Sequence, residues 1–343
     1  MTRLLAAAAV AALTAVTGIS ASHAAPRVAA SIQPVHALVA SVMGDLGDPY
    51  LLVPPGASPH DHALKPSDAR ALSQADVVFW VGPRISTFLD KALTELADDA
   101  QIVRLGDEPG LHLLPLREGG AFEPHAHDHG GHESEKHGHD HDDEKHGHEG
   151  EKHGHDHDDE KKHAHGDEAG EAAHTEAHIW LETGNAVIMT QAIAQKLAAV
   201  DPANADTYRA NAQATVARLQ ALSSELKQLL EPVRGRPFIV FHDAWQHFEH
   251  EFGLTAVGSI TVSPETPPGV RRMSRLRSGI RDLGVVCIFA EPQFGDSLPR
   301  TLADGTDARV GVADPLGAAY PSGPNQYEQL MRGAARAFRE CLG

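Results

Sequence analysis

The sequence predicts an α/β protein made of two lobes, each with a parallel sheet, joined by a long rigid helix. In two parts of the 343-residue chain, short apolar β-rich runs alternate with helical stretches. That alternation is typical of parallel sheets covered by helices. Between the two parts, apolar residues recur at helical spacing for about 30 residues, enough for a helix of about 45 Å. The hydrophobic content of 41% is sufficient for two packed cores.

The first 24 residues have the composition of a secretory signal peptide. One basic residue, Arg3, precedes an apolar run from Leu4 to Ile19, and small residues around Ala24 fit a cleavage site. A membrane anchor is the alternative, but the run is shorter than the roughly 20 residues that span a bilayer. No cysteine lies near this site to carry a lipid, so we expect cleavage after Ala24 and a mature protein free in the periplasm.

The N-terminal lobe is predicted over residues 25–200. Its strands are expected at Val28 to Ile32, Tyr50 to Val53, Val77 to Val81 and Ile102 to Leu105. Its helices are expected at Val35 to Met43, Ser67 to Ser73 and Ile85 to Leu96, with Ser67 capping the second.

A histidine-rich insertion interrupts this lobe over residues 123–176. It holds 15 of the 24 histidines, and the segment from Glu135 to Lys145 is repeated unchanged from Glu151 to Lys161. Its 18 acidic residues and 5 lysines contribute 5 − 18 = −13 to the net charge of −18. The rest carries only −5, and nothing indicates nucleic-acid binding. With so few large apolar residues, the insertion is predicted to be disordered.

The density of imidazole in this insertion predicts that it binds zinc, copper or nickel. The alternative is a charged segment that only keeps the chain soluble, but such a segment would not need histidine at every second or third position. A disordered segment has no single ligand geometry. We therefore expect its metal binding to be multiple, weaker and less selective than that of a preformed site.

Residues 201–234 are predicted to form the linking helix, and residues 235–343 the C-terminal lobe. Asp201 and Pro202 fit a helix start, and the apolar periodicity continues to Pro232. Such a helix argues against wide hinge closure of the lobes. The strands of the second lobe are expected at Phe238 to Phe241, Thr255 to Ile260, Val285 to Phe289 and Arg309 to Val312.

The chain has two cysteines, Cys287 and Cys341. In the oxidising periplasm an isolated pair can form a disulfide, which would tie the strand around Cys287 to the C-terminal helix. Two free buried thiols are the alternative.

A preformed metal site would need ligands outside the insertion, where nine histidines remain. His60, His242 and Asp314 each follow a predicted strand. Ligands of open α/β sheets collect at the carboxyl ends of the strands. His178 stands just before a predicted helix. These four residues are the candidates for a fixed site.

The candidates lie in short motifs distributed along the whole mature chain: Gly56-Ala57-Ser58-Pro59-His60-Asp61-His62 with Lys65-Pro66-Ser67-Asp68, Val81-Gly82-Pro83, His178-Ile179-Trp180-Leu181, Phe241-His242-Asp243-Ala244, Phe289-Ala290-Glu291-Pro292-Gln293 and Asp314-Pro315-Leu316-Gly317. In these motifs the chain resembles the zinc-specific, ZnuA type of the cluster A-I binding proteins of bacterial ABC importers. The resemblance implies zinc held in the cleft between the lobes, delivery to a membrane permease, and no enzymatic activity.

Carried over residue by residue, the resemblance implies that His60, His178 and His242 are zinc ligands, with Asp314 as the candidate fourth. Three neutral imidazoles and one carboxylate suit tetrahedral zinc. Manganese-preferring relatives generally have glutamate where His242 stands, and histidine there favours zinc. Many zinc relatives have glutamate immediately before the first histidine, where this chain has Pro59. The fourth ligand is therefore expected to be Asp314 or water.

The remaining histidines have other predicted roles. His62 is a reserve ligand because it is two residues from His60, while His247 and His250 are three apart and could form a surface pair. The rest are expected to be structural, with His36 and His112 as satisfied polar side chains and Trp180 and Trp245 as walls of the cleft.

Two other functions compete with zinc capture by a monomeric carrier. Three histidines and a water also describe hydrolytic zinc centres, although the sequence has no His-Glu-x-x-His motif. Periplasmic zinc storage or adhesion would need the insertion alone and would leave the four candidate ligands unexplained. In the carrier hypothesis, the insertion collects, hands on or reports zinc.

Overall fold

The computed structural model describes residues 25–117, 121–122, 175–261 and 264–343. The predicted signal peptide and residues 123–174 of the insertion lie outside these ranges. The described residues form two α/β lobes with parallel sheets, which confirms the predicted fold class. Within these ranges, we find no helix with the length and apolar character needed to cross a bilayer.

The sheet of the N-terminal lobe has four parallel strands in the order β2-β1-β3-β4. The strands are β1 (Val28–Ala30), β2 (Tyr50–Leu51), β3 (Val77–Trp80) and β4 (Gln101–Arg104). The helices are α1 (Gln33–Met43), α2 (Pro66–Gln74) and α3 (Thr87–Leu96). All four strands fall where the apolar runs predicted them.

The predicted cap of α2 is wrong by two residues. The helix begins at Pro66 after Lys65, whose backbone N–H donates to the Asp68 carboxylate at 2.8 Å. Proline suits the first turn because its missing N–H has no partner there, and the carboxylate three residues after the cap satisfies a free donor. Ser67 lies inside the first turn.

Two helices form an antiparallel pair between the lobes, α4 (Thr183–Val200) and α5 (Ala205–Leu230). The linking helix α5 has 26 residues, or about 39 Å, slightly shorter than the sequence periodicity suggested. Asn211 on α5 donates to the Val42 carbonyl of the N-terminal lobe at 3.0 Å. Arg218 on the same helix donates to Glu328 of the C-terminal lobe at 2.9 Å. The helix therefore binds both lobes along its length.

The C-terminal lobe repeats the topology of the first, with parallel strands in the order β6-β5-β7-β8. The strands are β5 (Phe238–Val240), β6 (Ala256–Ser259), β7 (Cys287–Ala290) and β8 (Arg309–Val312). The helices are α6 (Gln246–Phe252), α7 (Val270–Asp282), α8 (Ser297–Ala303) and α9 (Gln326–Leu342). The predicted disulfide is confirmed, since Cys287 on β7 is bonded to Cys341 on α9.

One continuous apolar core passes through both lobes. It contains Phe79 of the first sheet, Leu219 of the linking helix and Phe238 of the second sheet. A joint core of this kind favours a fixed arrangement of the two lobes over free hinge motion, because separating them would expose apolar surface to water.

The insertion ends earlier than the sequence predicted. Thr175 pairs with Pro115, and the backbone N–H of Glu176 donates to the Leu114 carbonyl at 2.7 Å. The Glu176 residue is only 3% exposed. Thr175 and Glu176 therefore belong to the folded lobe, and Glu176 has a role at the site described next.

Candidate metal centre

Three of the four predicted ligands converge between the lobes. His60 lies in the loop after β2, His178 precedes a 3-10 turn that leads into α4, and His242 follows β5. One ring nitrogen from each residue lies within 4.8 Å of the others. The two nearest, Nε2 of His178 and Nε2 of His242, are 3.3 Å apart. Such mutual spacing suits nitrogens that bind one ion at about 2.0–2.1 Å each.

The three imidazoles lie in a small pocket with mostly apolar walls. Pro59, Trp180, Phe294 and Leu316 line it beside the histidines. The Trp180 indole N–H donates to the Pro315 carbonyl at 2.8 Å, which fixes this wall across the two lobes. The walls keep the histidines at least half buried and limit the water that reaches them.

Two buried carboxylates stand behind the imidazoles. Glu291, directly after β7, lies 2.7 Å from Nδ1 of His242 and also accepts its backbone N–H. Glu176 makes the corresponding contacts with Nδ1 and the backbone N–H of His178. A carboxylate on Nδ1 leaves Nε2 free to bind metal, orients the ring and makes it a stronger donor.

Neither carboxylate is among the residues predicted to form the site. Glu176 is the last residue of the predicted insertion, and Glu291 belongs to the motif Phe289-Ala290-Glu291-Pro292-Gln293. The one available signal was position, since Glu291 follows a buried strand at the edge where His242 and Asp314 also stand.

The surroundings lower the pKa of His60 and raise that of His242. Burial, together with the nearby His178 and His242 rings, lowers the pKa of His60 to about 2, which keeps it neutral. Burial also opposes protonation of His242, but the Glu291 carboxylate outweighs it and raises the pKa of His242 above its ordinary value. For Glu176, burial is outweighed by the His178 imidazole, and the carboxyl pKa is lowered.

Asp314 is not brought into the group formed by the three histidines. Its Oδ1 accepts from the Gln293 amide and the Leu316 backbone N–H, both at 2.9 Å. Its Oδ2 accepts from the Ala318 backbone N–H at 2.6 Å. The carboxylate therefore anchors the turn after β8 and would have to exchange some of these bonds to bind metal.

The other predicted roles have mixed outcomes. His62 lies outside the group of three, with Nε2 3.8 Å from Asp68 and its ring against Phe88. Trp245 is not a wall of the pocket, because it packs on Phe248 and Phe338 in the core.

The predicted surface pair of His247 and His250 is also corrected. His247 is fully buried, and its Nδ1 lies 3.0 Å from Glu182. His250 is exposed and faces His112 instead. Helical spacing alone could not decide this, because it does not say which face is covered.

Known proteins resemble this chain along most of its length. Residues 28–341 match the family described as zinc-uptake complex component A, periplasmic. The chain is 46% identical over 325 residues to the high-affinity zinc uptake system protein ZnuA of Brucella abortus, covering 92% of this chain and 91% of that protein. The chain belongs to the ZnuA family. The family resemblance predicted from the motifs is therefore confirmed.

Other members of this family and several solved structures are also similar. The ZnuA protein of Paracoccus denitrificans is 37% identical over 319 residues, covering 93% of this chain and 92% of that protein. A crystal structure of ZnuA aligns with a TM-score of 0.70 at 24% identity over 93% of this chain and all of the other. A periplasmic zinc-binding protein from Treponema pallidum aligns with a TM-score of 0.69 at 17% identity, covering 93% of this chain and 99% of that one. These structures share the fold.

Proposed function

We propose that this protein captures zinc in the periplasm and delivers it to the membrane permease of an ABC-type zinc importer. The observation that carries the proposal is the convergence of His60, His178 and His242 from both lobes. Membership of the ZnuA family supports the same function. Residues 1–24 would serve as the cleaved signal peptide that exports the chain.

Zinc is the cargo that fits the donor set best. Three imidazole nitrogens suit zinc better than manganese, which favours oxygen ligands. Asp314 or a water molecule would complete the tetrahedron. Of these two, water requires no change in the turn after β8, because both carboxylate oxygens of Asp314 already accept hydrogen bonds.

A binding role is better supported than hydrolysis. A hydrolytic centre needs a general base placed to activate a metal-bound water. The two carboxylates nearest the histidines, Glu176 and Glu291, each contact Nδ1 of a ligand imidazole. That contact orients the ligand and does not place a base beside a water.

The histidine-rich insertion is proposed to collect zinc, hand it on or report its abundance. It is not needed for the three-histidine site, because that site is built from residues outside 123–174. A variant lacking residues 123–174 should therefore keep one tight zinc site.

The proposal can be tested by chelator-competition titration of that deletion variant, with His60→Ala in the same background as the comparison. One tight zinc per chain is expected, with loss of tight binding on His60→Ala. In bacteria that lack their own zinc-binding importer component, the unchanged chain should restore growth under zinc limitation. Absence of tight binding in the deletion variant, or zinc-dependent hydrolysis without transport, would refute the proposal.

A further inference from the structure

A second group of potential metal ligands lies outside the three-histidine site. His112, in the segment after β4, Glu182, at the start of α4, and His250 on α6 each offer a ligand atom within 4.8 Å of the other two. Nδ1 of His112 is 2.9 Å from Oε2 of Glu182. The ring centroids of His112 and His250 are 4.3 Å apart.

The surrounding residues hold His112 and Glu182 in place. The buried Asn185 side chain bonds both backbone groups of His112, accepting from its N–H at 2.8 Å and donating to its carbonyl at 3.0 Å. Glu182 is held from the interior, because Nδ1 of the buried His247 lies 3.0 Å from Oε2. Restraint of this kind reduces the entropy lost when ligands converge on an ion.

The group combines donors from both lobes and remains accessible. His112 and Glu182 come from the N-terminal side and His250 from the C-terminal lobe. The His112 side chain is 42% exposed and that of Glu182 12% exposed, so solvent can supply a fourth ligand. Two imidazoles and one carboxylate are a donor set for borderline-soft divalent ions such as Zn²⁺.

We propose that His112, Glu182 and His250 form a second zinc site on the surface, where a bound ion bridges the two lobes. The site is weaker than the three-histidine centre because it has fewer imidazoles and more contact with water. It does not depend on the proposed transport function, since none of its three residues belongs to that centre.

A row of alternating imidazoles and carboxylates connects this surface site to the first centre. Glu182 contacts His247, and Nε2 of His247 lies 3.6 Å from Oε2 of Glu176. The other oxygen of Glu176 contacts His178. The two sites are therefore connected through two intervening side chains, His247 and Glu176.

The experiment uses the full mature chain, with zinc alone as the probe. The insertion also contains histidines, so the measurement must report on His112 and His250 individually. In protein carrying ¹³C-labelled histidine, the ring signals of His112 and His250 are assigned by His112→Gln and His250→Gln. Zinc should shift both signals together. The His112 response should require at least about ten times more zinc in His250→Gln.

Two further variants distinguish this site from the others. His137→Gln, in the insertion, should leave the zinc response of His112 unchanged. His60→Ala should remove tight binding at the first centre while the His112 and His250 response persists. The proposal is overturned if the two signals do not shift as the insertion saturates, or if His250→Gln leaves the His112 response as it was.

Discussion

Nε2 of His178 and Nε2 of His242 face each other at 3.3 Å, although 64 residues separate them in the chain. Each ring is held from behind by a buried carboxylate, Glu176 for His178 and Glu291 for His242. The two lobes thus present matched imidazoles with free Nε2 atoms.

The three histidines should dominate zinc affinity, while Asp314 should matter less. His60→Ala, His178→Ala or His242→Ala should each weaken tight zinc binding by more than about a hundredfold, because loss of a carboxylate behind such a ligand already costs about 10–100-fold. Asp314→Asn should lower zinc affinity by less than about tenfold, and the weaker hydrogen bonds to the turn after β8 should lower the free energy of unfolding by about 1 kcal/mol. The measurement is chelator competition in the variant lacking residues 123–174.

His62→Ala is the control for the same titration, since His62 is close to His60 in sequence but outside the group. The zinc affinity of His62→Ala should match that of the unchanged site, because His62 contacts Asp68 and Phe88 and lies outside the group of three histidines. A loss on Asp314→Asn as large as that on His60→Ala would make Asp314 a ligand.

The pH dependence of zinc binding should be set by His242. Because Glu291 raises the pKa of His242, a proton occupies this ring in the zinc-free protein at pH values above the ordinary 6.5. Zinc affinity should be highest and independent of pH above the raised pKa of His242. Below that pKa it should fall about tenfold per pH unit, because one proton competes with zinc for the ring. His60 stays neutral throughout, because its pKa is about 2.

Glu291→Gln should move the onset of that fall to lower pH, and it should also weaken binding at pH 8 by about 10–100-fold. Titrations between pH 5.5 and 8.5 measure both effects. Glu340→Gln, on the exposed side of α9, is the matched control and should leave the profile unchanged. An onset at the same pH in Glu291→Gln and in the unchanged protein would contradict this origin of the pH dependence.

Arg117 should contribute strongly to stability by joining the lobes. Its guanidinium donates to Asp243, beside His242, and to the buried Glu249 at 2.7 Å. Arg117→Ala would leave both carboxylates without this cation and should lower the free energy of unfolding by about 3 kcal/mol. Denaturant unfolding measures this. Arg209→Ala is the control, because it breaks an exposed ion pair with Asp206. Its unfolding midpoint should occur at the same denaturant concentration as that of the unchanged protein.

The Cys287–Cys341 disulfide should stabilise the C-terminal lobe without affecting zinc. It closes a loop across a sequence separation of 54 residues. Replacing both cysteines with alanine should cost about 2–4 kcal/mol of unfolding free energy. Cys287 begins β7, whereas Glu291 follows its other end, so zinc affinity should stay within about threefold. A large loss of affinity would mean that the bond also positions the site.

Much of the architecture could be predicted because it depends on local patterns. Four-residue runs such as Val77–Trp80 are apolar throughout, as strands covered on both faces must be. The histidines after such strands could be placed at the sheet edge by the same rule. Side chains whose role depends on a distant partner could not be assigned this way, and Glu291, 49 residues from His242, is the example.

The sequence by itself determined the two α/β lobes, the linking helix, the cysteine pair and the three histidines that converge. These features could be predicted because each depends on a short stretch of chain: the periodicity of a strand or helix, a motif, or the residue that follows a parallel strand. Only the tertiary structure decided that Glu176 and Glu291 hold the imidazoles, that Asp314 anchors a turn, and that His112, Glu182 and His250 meet. Glu176 and Asp314 also bond residues two to four positions away, whereas Glu291 and His242 are 49 residues apart, and His112, Glu182 and His250 come from separate elements. Such pairings form only when packing of the shared core brings the lobes together.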